Sequence, residues 1–186
     1  GVATPEHAYV NIYVNDELKG LYLLVEFVNE EFLDKRFSNT QGDLYKPDGT
    51  GSDLQYIDDN FASYSGVVLK TNEDSSDNGA FMNFVYQMAF ENDISVIDYD
   101  SVLRYLAVSV SLSNLDSYHG SLAHNYYIYE QDNVFSMLPW DLNESFGSFN
   151  MGCNGVDIRG LYIDEPTDST LADKPLIALL LADEDM

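Results

Sequence analysis

The sequence contains few basic residues and a single cysteine. Its 186 residues include 32 Asp and Glu against 8 Lys and Arg, so the formal net charge is −24. Eight bases spread along the chain cannot form the positive stripe that displaces counterions from nucleic-acid phosphates, so we expect no nucleic-acid partner. The single cysteine, Cys153, excludes an intrachain disulfide and argues against a zinc or iron–sulfur site built from cysteines.

The sequence also lacks an apolar run of the roughly 18 residues that a transmembrane helix requires, so we expect no membrane span. Aromatic residues, in contrast, make up 13% of the chain, whereas disordered acidic chains are poor in them. Length and composition therefore predict one folded α+β domain over residues 1–186. The acidic surface favours solubility, and clusters of carboxylates favour hard cations such as Ca²⁺ and Mg²⁺.

Two segments near the start predict a β-hairpin. Residues 8–14 alternate between two faces, with Val10 and Ile12 on one of them. Residues 21–28 are apolar on both faces, and the polar run 15–20 between the segments predicts a turn. A strand that is apolar on both faces is typical of a sheet interior, so we expect residues 21–28 to form an internal strand.

Helix signals follow the hairpin. Asn29 predicts the N-cap of a short helix with acids in its first turn and bases in its last. Apolar residues at helical spacing predict an amphipathic helix over 80–91. A third helix, capped by Asp98 or Asp100, is apolar nearly all round and is predicted to be buried. The remaining predicted elements are short strands at 43–46 and 67–70, a hairpin at 124–130 and 134–138, and an apolar helix over 174–182.

Three polar segments stand out because of their positions. Residues 113–120 directly follow the predicted buried helix and contain Asp116. The pair His124-Asn125 lies at the entrance of the last hairpin, and Asp141 lies in the run PWDLN at its exit. A hairpin brings its two ends together, so we expect Asn125 and Asp141 to be neighbours and Asp116 to face them.

This grouping favours phosphoryl transfer, because a carboxylate and an amide oxygen can hold Mg²⁺ while a second carboxylate accepts a proton. Each side chain also has a structural interpretation, since Asp116 and Asn114 could cap turns and Asp141 could cap the following loop. His119 and His124 flank the site. A zinc pair would need a third ligand, which no suitable spacing supplies, so support of the polar loop is the favoured interpretation of both.

The order of elements is that of a protein kinase from its fifth strand onward, with residues 26–28 in the place of the hinge. The gap from Asp116 to Asn125 is nine residues rather than five, and Asp141 is followed by Leu-Asn rather than Phe-Gly. These departures exclude a standard protein kinase.

The chain resembles the CotH family, the spore-coat kinases and their relatives among secreted bacterial and fungal proteins. The resemblance covers about residues 1–182 and lies in the runs AYVNIYVNDELKGLYLLVEFVNEEFLDKRF, GDLYKP, LKTNE, RYLAVSVSLSNLDSYHG, HNYYIY and LPWDLNESFG. It implies an atypical protein-kinase-like fold that uses ATP and Mg²⁺ to phosphorylate Ser or Thr of protein substrates. It also implies that Asp116 is the catalytic Asp, Asp141 the principal metal ligand and Asn125 a metal-side partner.

The nucleotide side is less well defined, with Lys46 and the hinge residue Glu26 as its candidates. Family members extend before Gly1 and beyond Met186, so we expect this chain to be a piece of the domain truncated at both ends. It would hold mostly the large lobe and part of the small-lobe sheet. The resemblance implies a secreted or cell-surface location, within a larger extracellular assembly. The alternative function is a non-catalytic extracellular interaction or adhesion module with the same fold.

Overall fold

The secondary structure comprises two antiparallel sheets and four helices in the computed structural model, which describes residues 1–149, 160–162, 165–166 and 170–182. The predicted α+β class is therefore confirmed; Cys153 lies outside the described residues. The strands are β1 (His7–Val14), β2 (Glu17–Val25), β3 (Leu44–Pro47), β4 (Val67–Leu69), β5 (Tyr126–Gln131) and β6 (Val134–Pro139). The helices are α1 (Glu30–Arg36), α2 (Gly79–Tyr86), α3 (Tyr99–Ser111) and α4 (Pro175–Leu181).

The larger sheet has the strand order β4-β3-β5-β6, and every neighbouring pair is antiparallel. The β5–β6 ladder runs from Tyr126 opposite Pro139 to Gln131 opposite Val134. Between the strands, Asp132 and Asn133 both have positive φ, 57° and 64°. This two-residue geometry suits the twist of a hairpin. The predicted hairpin is therefore confirmed, with its strand ends shifted by one or two residues.

Successive side chains of β5 enter two separate hydrophobic cores. Tyr126 and Ile128 join the larger core, which includes residues of α2, α3 and α4. Tyr127 and Tyr129 point to the other face and pack in a smaller core with α1. Successive side chains of a strand point to opposite faces, so one short strand can bind helices on both sides. This arrangement fixes the sheet between two helical layers.

Helix α1 begins as predicted at Asn29, whose side-chain oxygen accepts a hydrogen bond from the Phe32 amide at 3.2 Å. Such a cap typically stabilises a helix by about 1 kcal/mol relative to alanine. Phe32 and Leu33 are fully buried against the sheet. The sequence signals for this helix, an Asn cap and oppositely charged ends, are therefore confirmed.

The two longer helices differ from their predictions in detail. Helix α2 ends at Tyr86, and residues 87–91 continue as a π-helical turn. Asp98 caps α3 by accepting the Ser101 amide, whereas Asp100 pairs with Arg104 on the surface.

The burial of α3 is one-sided. Tyr105 and Leu106 are buried, but Ala107 and Val108 are exposed in the described structure. The prediction that α3 is a buried helix is therefore wrong for the part of the chain that the structure describes. In that part, the elements packed against α3 contact only one of its faces. None of the helices described is long and apolar enough to cross a membrane.

The first hairpin, β1–β2, forms a separate two-stranded sheet. Its turn is shorter than predicted, because only Asn15 and Asp16 have the left-handed turn conformation and β2 already begins at Glu17. The prediction that the second strand is internal is wrong for the described chain. There β2 pairs with β1 alone, and Leu21 and Leu24 are 67% and 60% exposed. In the described structure this apolar strand is therefore exposed on both faces.

We predict that this exposed hairpin makes the isolated chain self-associate, because contiguous apolar patches of this kind drive association. Tyr9 and Leu23 lie opposite each other across the ladder and are 75% and 52% exposed. Replacing both with Thr should lower the mass measured by light scattering and reduce binding of a hydrophobic dye. Asn11→Thr on the same strand is the control and should change neither. A monodisperse wild-type monomer that binds no dye would contradict the prediction.

Candidate functional site

The loop after α3 is held in place by its own side chains. The Asn114 main-chain N–H donates to the Ser109 carbonyl at 2.8 Å. The Asn114 side-chain oxygen accepts a hydrogen bond from the Asp116 main-chain N–H at 3.2 Å. The Ser117 hydroxyl donates to the Asn114 carbonyl at 2.7 Å. Asn114 is 1% exposed, so these bonds lie in a dry environment. The loop therefore presents Asp116 from a rigid base at the end of a helix.

Gly120 closes this loop. A Cβ atom added at Gly120 would lie 1.7 Å from the Leu115 carbonyl oxygen, so no other residue fits without a backbone shift. The close approach returns the chain towards the entrance of β5, next to the Asp116 turn. Glycine is the residue that allows such contact between two backbone segments.

The Asp116 carboxylate is bound at both oxygens. His124 Nε2 lies 2.5 Å from Oδ1, and Asn125 Nδ2 donates to Oδ2 at 2.8 Å. Asn125 Nδ2 also lies 3.0 Å from the Asp116 main-chain oxygen. The Asp116 side chain is 12% exposed, so these contacts are largely shielded from water. These contacts fix the orientation of the carboxylate. Each of its oxygens can still accept a hydrogen bond from a further partner.

The two ends of the β5–β6 hairpin lie next to each other, as predicted from the sequence. The Trp140 amide donates to the Asn125 carbonyl at 3.2 Å, one pair beyond the end of the ladder. Asp141 is the next residue and is exposed. Its side chain makes no cap to the 3₁₀ turn Leu142–Glu144, so the structural interpretation of Asp141 as a cap gains no support. Asn114, by contrast, does cap its turn.

Lys46 approaches the site from β3. Its ammonium lies 5.4 Å from the centre of the Tyr127 ring, on the sheet face that packs against α1. Burial lowers the pKa of Lys46, while the negative charges of Asp48, Asp141 and Asp116 oppose that shift. No carboxylate of the described chain lies within 4 Å of this ammonium. A half-buried cation without a close carboxylate favours an incoming anion such as a phosphate.

Asp48 is a site residue that sequence reasoning missed. Its carboxylate lies 3.4 Å from His124 Nδ1, and its charge acts on Lys46. The residue lies in a long Gly- and Asp-rich segment, where nothing in the local pattern distinguishes it from other solvated acids. Only the pairing of β3 with β5 brings it to the hairpin entrance.

Glu26 lies in a different environment. Its carboxylate accepts hydrogen bonds from Lys35 at 2.7 Å, Arg36 at 2.6 Å and the Glu6 amide at 3.0 Å. These contacts lower the pKa of Glu26 to about 2, and the hydrogen bond from Lys35 has the largest effect on it. The structure therefore joins Glu26 to α1 rather than to Asp116, because the bases at the end of that helix bind it. Its assignment to the nucleotide side stays a prediction.

The donor set fits Mg²⁺ carried by a nucleotide better than a metal cage made of protein alone. Asn125 uses its nitrogen on Asp116, which leaves its side-chain oxygen unengaged among the described contacts. That oxygen and the exposed Asp141 carboxylate are hard ligands of the kind that Mg²⁺ combines with phosphates and water. In the described ranges, no three His, Cys, Asp or Glu side chains converge closely enough to hold a metal.

Four residues around the site have a left-handed backbone conformation. Ser113, Ala123, Asn125 and Asp141 have φ between 48° and 57°. For an ordinary L-residue this conformation costs roughly 1–2 kcal/mol, and Asn and Asp tolerate it best. Ala123 has no polar side chain to compensate, so the surrounding contacts must hold it there.

A cavity of about 280 Å³ adjoins this segment. Its lining includes Gly49 and Ala123, the immediate neighbours of Asp48 and His124, together with the acids Asp53 and Asp173. Asp116, Asn125 and Asp141 do not line this cavity, so it neighbours the candidate site without being part of it.

We predict that Glu26 stabilises the fold in a pH-dependent manner. Its pKa is lowered from an ordinary 4.5 to about 2, so its stabilisation is complete above about pH 4.5 and is lost as the pH falls towards 2. Glu26→Gln should lower the melting temperature at pH 7, and the difference from wild type should shrink on acidification. Glu17→Gln, which removes an exposed ion pair with Lys19, is the control and should have little effect. A Glu26→Gln difference that is independent of pH would refute the assignment.

Comparison with known proteins identifies the family. The model described as CotH kinase protein matches residues 1–186. The chain is 28% identical over 160 residues to the inner spore coat protein H of Bacillus subtilis (strain 168). That alignment covers 79% of this chain and 43% of the relative, so the chain spans less than half of that protein. The chain belongs to the CotH family.

Proposed function

We propose that this chain is an Mg²⁺-dependent protein kinase domain that transfers the ATP γ-phosphate to Ser or Thr of coat or other secreted proteins. The observation that carries the proposal is the Asp116 carboxylate, bound at both oxygens beside a hairpin whose exit bears Asp141. The description of the matched family as a kinase protein supports the reaction. The name of the relative, inner spore coat protein H, supports a coat or surface location.

In this reaction Asp116 accepts the proton of the substrate hydroxyl as that oxygen bonds to the γ-phosphorus and the bond to the ADP oxygen breaks. The carboxylate suits this role because His124 and Asn125 fix its direction without neutralising it with a permanent positive charge. A base in phosphoryl transfer acts mainly by orienting the nucleophile, so a rigid carboxylate is the required feature.

The polar residues around Asp116 would hold the nucleotide. The Asp141 carboxylate and the Asn125 side-chain oxygen would bind Mg²⁺, and the Lys46 ammonium would pair with a phosphate. Bound Mg²⁺ would neutralise the charge of the β- and γ-phosphates. This cation is necessary on electrostatic grounds, because a chain with a net charge of −24 repels a bare nucleotide.

A second candidate function is a non-catalytic interaction module, and one observation favours it. The β1–β2 hairpin exposes large apolar side chains on both faces, which is typical of a surface that associates with another protein. Thermal unfolding with and without ATP·Mg²⁺ separates the two functions. At a hundred times Kd, a ligand specific for the folded state stabilises it by about 2.7 kcal/mol. A pure interaction module should show no shift.

We predict that Asp116 and Asp141 divide the chemistry between them. Asp116→Asn should lower turnover by roughly two to four orders of magnitude, the range for general acid–base catalysis. It should leave ATP·Mg²⁺ affinity within a few-fold, because the metal-side groups remain. Asp141→Asn should weaken both turnover and ATP·Mg²⁺ binding. Phosphate transfer to a coat-protein substrate and calorimetric nucleotide binding give the two readouts.

The control is Asp100→Asn, which removes an exposed acid paired with Arg104 on α3 and should change neither readout. Equal losses of nucleotide affinity in the Asp116 and Asp141 variants would contradict the division of roles. Full activity of Asp116→Asn would reject the kinase assignment of this loop and favour the interaction module.

A further inference from the structure

The His124 imidazole lies between two carboxylates at the entrance of β5. Its Nε2 is 2.5 Å from Asp116 Oδ1, and its Nδ1 is 3.4 Å from Asp48 Oδ1. The His124 side chain is 19% exposed and Asp116 is 12% exposed, whereas Asp48 is 66% exposed. The short contact is therefore the shielded one, and the long contact faces solvent. The position of the ring is set mainly by Asp116.

The direction of the short hydrogen bond follows from the chemistry of its partners. An ionised carboxylate can only accept, so His124 Nε2 must carry the proton and donate it to Asp116. Hydrogen bonds to a charged acceptor are among the stronger ones in proteins. The bond therefore restrains the Asp116 carboxylate as well as the imidazole.

His124 and Asn125 act on different oxygens of the same carboxylate. Asn125 donates to Oδ2 at 2.8 Å while His124 occupies Oδ1. Rotation of the carboxylate about its own bond would break both contacts at once. The left-handed backbone at Ala123 and Asn125, with φ of 48° and 57°, aims two consecutive side chains at one acceptor. An extended strand would instead direct them to opposite faces.

We propose that His124 is a positioning residue that fixes the Asp116 carboxylate for proton acceptance. This inference rests on the proposed kinase function and extends it to a side chain outside the metal and nucleotide groups. Catalytic groups need placement within about 0.5 Å, which partners that lock their rotamers supply. Because His124 acts through Asp116, its loss lowers kcat and leaves the KM values for ATP and protein substrate nearly unchanged.

Two conservative variants of the whole protein test this role. The side-chain nitrogen of Gln reaches the place of imidazole Nε2, so His124→Gln can still donate to Asp116. The side-chain nitrogen of Asn takes the place of imidazole Nδ1. In His124→Asn it can therefore donate only to Asp48. We expect His124→Asn to lose about ten- to hundredfold in kcat, the range found when a supporting hydrogen-bond partner is removed. His124→Gln should stay within a few-fold of wild type, and KM should vary less than threefold in both.

The comparison of Gln with Asn controls for general damage, because both variants remove the ring and melting temperatures confirm that both fold. Equal kcat values in the two variants would overturn the proposal. A loss expressed in KM with unchanged kcat would also overturn it, since it would mean that His124 binds substrate directly.

A readout without catalysis separates this inference from the kinase function itself. Two-bond ¹H–¹⁵N spectra of the wild-type protein should show a proton on His124 Nε2, and Asp116→Ala should abolish that preference while Asp141→Ala preserves it. An unprotonated Nε2 in the wild type would overturn the positioning role whatever the activity. An inactive wild type with protonated Nε2 would instead overturn the proposed function and reduce this hydrogen bond to a structural one.

Discussion

The β5–β6 ladder is the constraint on which both the fold and the candidate site depend. β5 lies inside the larger sheet, paired with β3 on one side and β6 on the other. Its alternate residues enter two different cores. A slip of one residue would exchange those faces and bury the wrong set, so the register is strongly specified. The same register places Asn125 beside Trp140, the residue before Asp141.

Negative charge gathers at the candidate site. In a chain with a net charge of −24, Asp48, Asp116 and Asp141 all lie close enough to Lys46 to act on its ammonium. His124 and Asn125 stabilise the Asp116 carboxylate through hydrogen bonds. Among the described residues, no Lys or Arg forms an ion pair with it. Lys46 supplies positive charge from the neighbouring strand. The arrangement is therefore suited to a reaction that brings its own cation with an anionic substrate.

Local signals predicted many of the elements correctly because their physical causes are local. The Asn29 cap and the charged ends of α1 act within one helix, and the two-residue turn at Asp132 and Asn133 acts within one hairpin. The failures concerned burial. The apolar strand β2 and the apolar helix α3 both have exposed residues in the described structure, because composition records what a segment could bury and not which neighbours reach it.

The sequence by itself predicted that Asn125 and Asp141 are neighbours, since hairpin ends must meet, and that Asp116 faces them because its loop immediately precedes the hairpin. It named Lys46 only as a candidate for the nucleotide side, and it did not single out Asp48. These residues lie more than 60 positions before Asp116 and reach the site only because β3 pairs with β5. Pairing between distant strands carries no local signature. Tertiary structure also decided that Glu26 serves α1 and that His124 binds Asp116, because a side chain's partner depends on which surfaces the completed sheet brings into contact.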